Sequence, residues 1–170
     1  MTPVLTPAAD HDLAAVAALV NSAYRGESSR QGWTTEADYL DDLRTTEATM
    51  RADLATDPTA RLLLLREALD ATLLGCVWLA PGDDAWYLGL LTVRPDLQDR
   101  QLGRTLLAGA EAVAREHGAR RIRMRGIGVR DTLIAWYQRR GYMPTGVTEP
   151  FAHGDEPRPD LTFVALEKSL

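Results

Sequence analysis

The stretch that most limits what this chain can fold into runs from Leu88 to Leu107, LGLLTVRPDLQDRQLGRTLL. It opens with an apolar run, Leu88 to Val93, whose β-branched end reads as a buried strand. Pro95 stops that strand, because it has no N–H to give to a ladder. A polar turn follows from Asp96 to Gln101. Helical spacing then begins: Leu102, Leu106, Ala110 and Val113, with Leu107 and Ala114 beside them. The first N–H groups of such a helix have no intrahelical partner and carry the positive end of the macrodipole. They form an anion site suited to a pyrophosphate. Gly103 lets a ligand approach the backbone without a Cβ in the way. Arg100 and Arg104 can add charge-assisted hydrogen bonds.

The run Val93 to Arg104, VRPDLQDRQLGR, resembles the acetyl-CoA motif of the GNAT superfamily of N-acetyltransferases, Gln/Arg-x-x-Gly-x-Gly/Ala after a strand end. Gln98 and Gly103 match the ends of that pattern. The resemblance implies that acetyl-CoA lies along Leu91, Thr92, Val93, Asp99, Arg100, Gln101, Leu102, Gly103, Arg104 and Thr105. Gln101 stands where the family has its first glycine, and Asp99 puts an acid beside a phosphate loop. Both departures leave the backbone amides in place but can lower cofactor affinity.

A second stretch, Ala135 to Tyr142, AWYQRRGY, resembles the family's other signature, Ala-x-x-Tyr-x-x-x-Gly-Phe/Tyr. Tyr137 takes the place of the family's catalytic tyrosine. The chemistry can be stated independently of the name. Acyl transfer from a thioester to an amine needs a donor for the developing oxyanion; in relatives this is a backbone N–H, which maps near Leu91. The amine must lose a proton from an ammonium of pKa near ~10. The leaving thiolate, of pKa roughly 8–9, benefits from a proton donor. Tyr137 is the candidate general acid, and direct attack in a ternary complex gains mainly from proximity.

Composition narrows the classes. At 170 residues the chain suits one domain, 1–170, with a sizeable core. A net charge of −5 argues against nucleic acid as the main partner. The single cysteine, Cys76, lies in an apolar strand-like run and reads as a buried, inert thiol. His11, His117 and His153 show no metal-ligand spacing, so no metal is expected. No basic-then-apolar leader is seen, and no apolar run approaches the ~20 residues of a membrane span. A cytoplasmic protein is the expectation.

The remaining pattern predicts a strand at Val4–Thr6, then a helix capped by Asp10 and carrying Leu13, Val16, Ala17, Val20 and Tyr24. A polar loop holding Trp33 follows. Helices are predicted from about Glu36 to Arg44, with Asp38 in the first turn, and from Glu47 to Ala55. Strands are predicted at Arg61–Arg66, Leu74–Ala80 and Trp86–Val93. The motif helix runs from Leu102 to Glu116 with Gly118 after it. A strand follows at Arg121–Met124, then a helix from Asp131 to Arg140, an irregular strand at Tyr142–Val147, a loop at Pro150–Pro159 and a strand at Leu161–Leu166. This order resembles the GNAT fold: α/β (α+β), a mixed and mostly antiparallel sheet of about six to seven strands with helices on both faces. An exposed sheet edge near the C-terminus makes a homodimer plausible in that fold.

The loops before the first long strand build the acceptor wall in the superfamily, so Tyr24, Trp33 and Glu36 are the candidate substrate residues, with helix packing as their alternative role. The row Arg121, Arg123 and Arg125 reads as a solvated or interface edge. For the general base, the strand Trp86–Val93 contains no carboxylate; Glu27, Glu36 or a water remains. Relatives that acetylate ribosomal protein N-termini carry a Glu where this chain has Arg125, and the family's common Asn is Arg130 here. Both argue against that substrate class. The leading expectation is an acetyl-CoA-dependent N-acetyltransferase acting on a primary amine of a small molecule or peptide. The alternatives are a catalytically silent acyl-CoA-binding module and an interaction protein that has lost the cofactor site.

Overall fold

The computed structural model describes residues 2–37, 40, 43–98, 100–153 and 156–170. Asp38 and Asp99 therefore lie outside the described residues, as does the side chain of Glu27. The elements are β1 (Pro3–Pro7), α1 (Leu13–Tyr24), α2 (Glu47–Thr56), β2 (Arg61–Glu67), β3 (Leu73–Ala80), β4 (Trp86–Val93), α3 (Leu102–Glu116), β5 (Arg121–Ile127), α4 (Asp131–Gln138), β6 (Met143–His153) and β7 (Glu156–Ser169). The strands form one seven-stranded sheet in the order β1-β2-β3-β4-β5-β7-β6. Five of its pairings are antiparallel and one, β4 with β5, is parallel.

Two apolar layers sandwich this sheet, and the strand sequences divide between them by the two-residue period. In β2, Leu63 and Leu65 join Val77, Leu79, Leu88, Ile122 and Met124 against Leu106, Leu107 and Ala110 of α3 and Tyr137 of α4. Leu62, Leu64 and Cys76 face the other way, against Leu13, Val16 and Val20 of α1 and Met50 of α2. Leucine-rich runs that could be helical are strands here because both of their faces are covered.

The pairing of β4 with β5 is what positions the site. Only Trp86↔Ile122 and Tyr87↔Arg123 are in register; beyond Tyr87 the two strands part. On its other side β4 carries an irregularity: Cys76 pairs with Thr92, but Trp78 pairs with Gly89. One extra residue is therefore accommodated on β4, and Leu90 takes it up with φ 52°. A bulge at the point where the sheet splits opens a cleft between the strand ends. Cys76 lies directly beneath it, its Sγ 3.7 Å from the Leu90 carbonyl. Burial pushes that thiol up to about 12.

Three expectations need correction. Asp10 does not cap α1: Asp12 reaches back to the Ala9 amide at 2.8 Å, while Asp10 pairs with Arg51 at 3.0 Å. The described residues of the segment predicted as a helix from Glu36 to Arg44 are not helical. Among the described residues, the Leu40 N–H bonds to the Glu36 carbonyl. The expected loop at Pro150–Pro159 is instead largely strand, with Pro150↔Thr162 and Ala152↔Pro157 in register across β6 and β7. Its prolines are tolerated because β6 is a sheet edge and the pairing of β7 with β5 begins only at Phe163. β7 lies between β5 and β6, so the open edge belongs to β6.

Candidate active site

A cavity of about 440 Å³ occupies the cleft between the ends of β4 and α4, under the start of α3. Leu91 and Val93 of β4, Gly103 and Arg104 of α3, and Trp136 and Tyr137 of α4 line it. Trp33 and Gln98 close it on the loop side.

At the α3 end, Thr105 N–H is already bonded to the Gln101 carbonyl at 3.1 Å. The amides of Leu102, Gly103 and Arg104 have no residue one turn earlier in the helix to accept them, so the anion-binding capacity is narrowed to these three. Leu102 itself turns its side chain into the core, and Thr105 is exposed, its hydroxyl bonded back to Gln101 at 3.2 Å. Arg100 is exposed and lies outside the cavity lining. Gln101 adopts φ 62°, ψ 11°, the left-handed conformation that favours glycine. The departure from the family pattern therefore stores strain. Replacing Gln101 by Gly relieves about 1–2 kcal/mol of left-handed cost against roughly 0.5–1 kcal/mol of added unfolded-chain entropy. The expected outcome is a net gain of about 0.5–1 kcal/mol in urea unfolding; a loss of stability would mean the glutamine side chain contributes more than the turn costs.

Gln98, the first residue of the motif, acts as a clamp. Its Oε1 accepts the Trp33 N–H at 2.8 Å, and its Nε2 donates to Thr34 Oγ1 at 2.8 Å and to the Val93 carbonyl at 3.1 Å. A Cβ at Gly32 would run into this amide, so the glycine is required for the close approach. The clamp seats Trp33 over the cavity, with ring centroids 6.1 Å from Trp136.

Tyr137 is buried, its ring edge-on to Trp136 at 5.1 Å and to Tyr142 at 5.9 Å. Burial, and next the neighbouring Tyr24 hydroxyl, hold its phenol well above the ordinary range. The group is therefore a protonated donor at any working pH. Tyr24 does not line the cavity; its hydroxyl donates to the Leu91 carbonyl and so ties α1 to the bulge. Thr92 is buried, its hydroxyl donating to the Leu90 carbonyl at 2.8 Å.

Glu36 is placed differently from the expectation. It is 6% exposed and sits between two buried arginines. Arg25 Nη1 donates to its Oε1, and Arg130 Nη1 to its Oε2 at 2.9 Å. Arg130 also donates to the Thr34 carbonyl and lies 5.8 Å from the centroid of the Tyr24 ring. Both of its oxygens are taken up by guanidinium donors, and Glu36 is not among the residues that line the cavity. Arg130 thus replaces the family's asparagine with a tether that holds the loop at Thr34–Glu36 against the start of α4. The row Arg121, Arg123 and Arg125 faces solvent from β5, paired with Asp84, Glu167 and Glu149.

The sequence reading did not single out Arg139 and Arg140, which also line the cavity. Arg140 stacks on Trp136 at 3.8 Å. Their adjacency to Tyr137 was the available signal. Among the described residues no group of His, Cys, Asp and Glu could hold a metal ion, and no helix is long and apolar enough to cross a membrane.

With this geometry in hand, the chain was compared with known proteins. Residues 15–142 match the model of the acetyltransferase (GNAT) family. No curated protein matches it in sequence. Among solved structures, it is similar to a candidate GNAT-family acetyltransferase from Desulfovibrio desulfuricans, at 16% identity and a TM-score of 0.75 over 99% of each chain. It is also similar to the ribosomal-protein-S18-alanine N-acetyltransferase from Escherichia coli, at 14% identity and a TM-score of 0.73 over 99% of this chain and 94% of that one. A GNAT family acetyltransferase from Elizabethkingia anophelis with acetyl-CoA bound matches over 71% of this chain and 82% of its own, at 16% identity and a TM-score of 0.58. At these identities the likeness establishes the fold.

Proposed function

The chain belongs to the acetyltransferase (GNAT) family, and from that premise we propose that it moves an acetyl group from acetyl-CoA to a primary amine of a small molecule or peptide. The observation that carries this reading is the meeting of three features in one cavity: the unpartnered amides of α3, the bulged end of β4 and the protonated phenol of Tyr137. The cavity fits the cofactor. Arginines that have no carboxylate partner among the described residues line it, and at Gly103 it is open where a larger side chain would fill it. The join of all seven strands in one sheet supports reading 1–170 as one domain.

Acetyl-CoA supplies an activated acyl thioester when bound. The Leu102, Gly103 and Arg104 amides would hold its phosphates, and Val93 and Leu91 would flank the acyl arm, while Thr92, buried and bonded to Leu90, braces the bulge behind them. The backbone N–H of Leu91, next to the bulge, would polarise the acyl carbonyl. As the amine nitrogen bonds to the acyl carbon and the C–S bond breaks, Tyr137 would give its hydroxyl proton to the leaving sulfur. Trp33 forms the wall on the acceptor side, and Tyr24 holds the bulge in place from behind. Glu36, locked by Arg25 and Arg130 away from the cavity, positions the loop; Glu27 or water serves as the base.

Calorimetric titration with acetyl-CoA tests the reading, followed by a screen for free CoA release across amines. Micromolar binding with turnover is expected. Binding without release from any amine would favour the silent-module alternative, and no binding at millimolar cofactor would end the acetyl-CoA reading. Gly103→Val sharpens the test. A Cβ there sits 3.4 Å from Trp136 and 3.9 Å from Val93, ordinary contacts that the fold tolerates. The added methyls would occupy the cavity, so acetyl-CoA affinity should fall at least about tenfold, roughly 1.4 kcal/mol, with little change in stability. Equal affinity would mean the phosphates are held elsewhere.

A further inference from the structure

Arg104, Arg139 and Arg140 line the same cavity from two elements, Arg104 in the first turn of α3 and the other two immediately after α4. None of the three pairs with a carboxylate among the described residues. That is unusual in a chain with 24 acidic and 19 basic residues. Most arginines on the open face of β5 have found an acid. Arg140 is held flat on Trp136, its Nη1 donating to the Trp136 carbonyl at 2.7 Å, and its Nε is buried without a partner. Burial, and then the like charges of Arg104 and Arg139, push its guanidinium below the ordinary range.

The ends of helices do not account for this cluster. A C-terminal dipole favours cations such as Arg139 and Arg140, but Arg104 sits at the positive end of α3, where a cation is disfavoured. Three like charges gathered without an acid are stabilised by an anion that arrives from outside. The α3 amides can serve one anionic group, the pyrophosphate with its two phosphoryls. The coenzyme carries a second, a 3′-phosphomonoester, whose charge and three acceptor oxygens suit guanidinium forks.

We propose that Arg139 and Arg140, together with Arg104, form a second phosphate subsite that takes the 3′-phosphomonoester of the coenzyme and makes the protein selective for CoA over its 3′-dephospho form. The inference rests on the acetyl-CoA reading above. It adds that α4 has two roles: Tyr137 faces the acyl end, and the two residues after the helix face the nucleotide end.

The test is calorimetric titration with acetyl-CoA and with acetyl-3′-dephospho-CoA, at one fixed ionic strength. The native protein should prefer the phosphorylated form at least about tenfold. Arg139→Gln, at an exposed position, should bring the preference to within roughly threefold. It should leave the affinity for the dephospho form unchanged. Arg140→Gln should do the same, with some added loss from the Trp136 stack. Equal affinity of the native protein for both ligands would overturn the subsite and leave the acetyl-CoA reading standing. A parallel loss of both ligands in Arg139→Gln would overturn it too, by showing a packing role. Binding of neither ligand would overturn both readings together.

Discussion

Tyr137→Phe is expected to lower turnover roughly 10²-fold or more while changing acetyl-CoA affinity by less than about twofold. The substitution removes one oxygen and keeps the ring. The edge-on contacts to Trp136 and Tyr142 persist, so the core packing and the cavity wall are preserved. What is lost is the proton that the leaving sulfur would take. Because burial and the Tyr24 hydroxyl hold the phenol above its usual range, it stays protonated across the working pH. The native rate profile should therefore show no loss of activity from Tyr137 ionisation between about pH 6 and 10. Steady-state kinetics on both proteins, with a solvent isotope effect to establish that chemistry limits the rate, decides the matter. Unchanged turnover under that condition would remove Tyr137 from the mechanism.

Glu36→Gln should lower stability by about 3–5 kcal/mol, the usual cost of removing one partner from a buried ion pair. Its two oxygens serve two arginines that are 6% and 9% exposed. Glutamine keeps the shape but offers one acceptor and turns an N–H₂ toward the other guanidinium. For a chain of this length the loss corresponds to a fall of roughly 6–20 °C in Tm. Urea and thermal unfolding measure it. A loss below about 1 kcal/mol would mean that water or other side chains take over the arginines. The same change should loosen the loop at Thr34, because Arg130 holds both that carbonyl and Glu36.

These two residues show what a sequence yields and what it withholds. That Tyr137 lines the cavity was legible because the run Ala135–Tyr142 resembles a family signature whose spacing is local. The limits of α3 were legible for the same reason, since Pro95 ends the strand and the Leu102–Ala114 stripe begins the helix. The bulge was not legible. It arises where β4 must pair with β3 on one side while leaving β5 on the other, and no residue type marks that. Glu36 looked like the start of a helix because it follows two threonines and precedes an apolar spacing. Its fate was set by Arg130, 94 positions away, a tertiary contact that outweighs helix propensity. The hairpin of β6 and β7 was hidden by its prolines, which read as loop until the open edge of the sheet is known. Arg139 and Arg140 resemble ordinary cations at a helix end until Arg104 is seen beside them.

The single cysteine has a use that reaches past the reaction. Cys76 lies under the β4 bulge, fully covered and with its thiol pushed up to about 12, so in the folded chain it is closed to aromatic disulfide reagents. Any coloured signal in a thiol assay of the native protein thus comes from liberated coenzyme. Conversely, labelling of Cys76 requires the sheet to open where it splits, so the labelling rate reads out how often the cleft breathes. The chain carries its own clock for the motion that a bound cofactor would suppress.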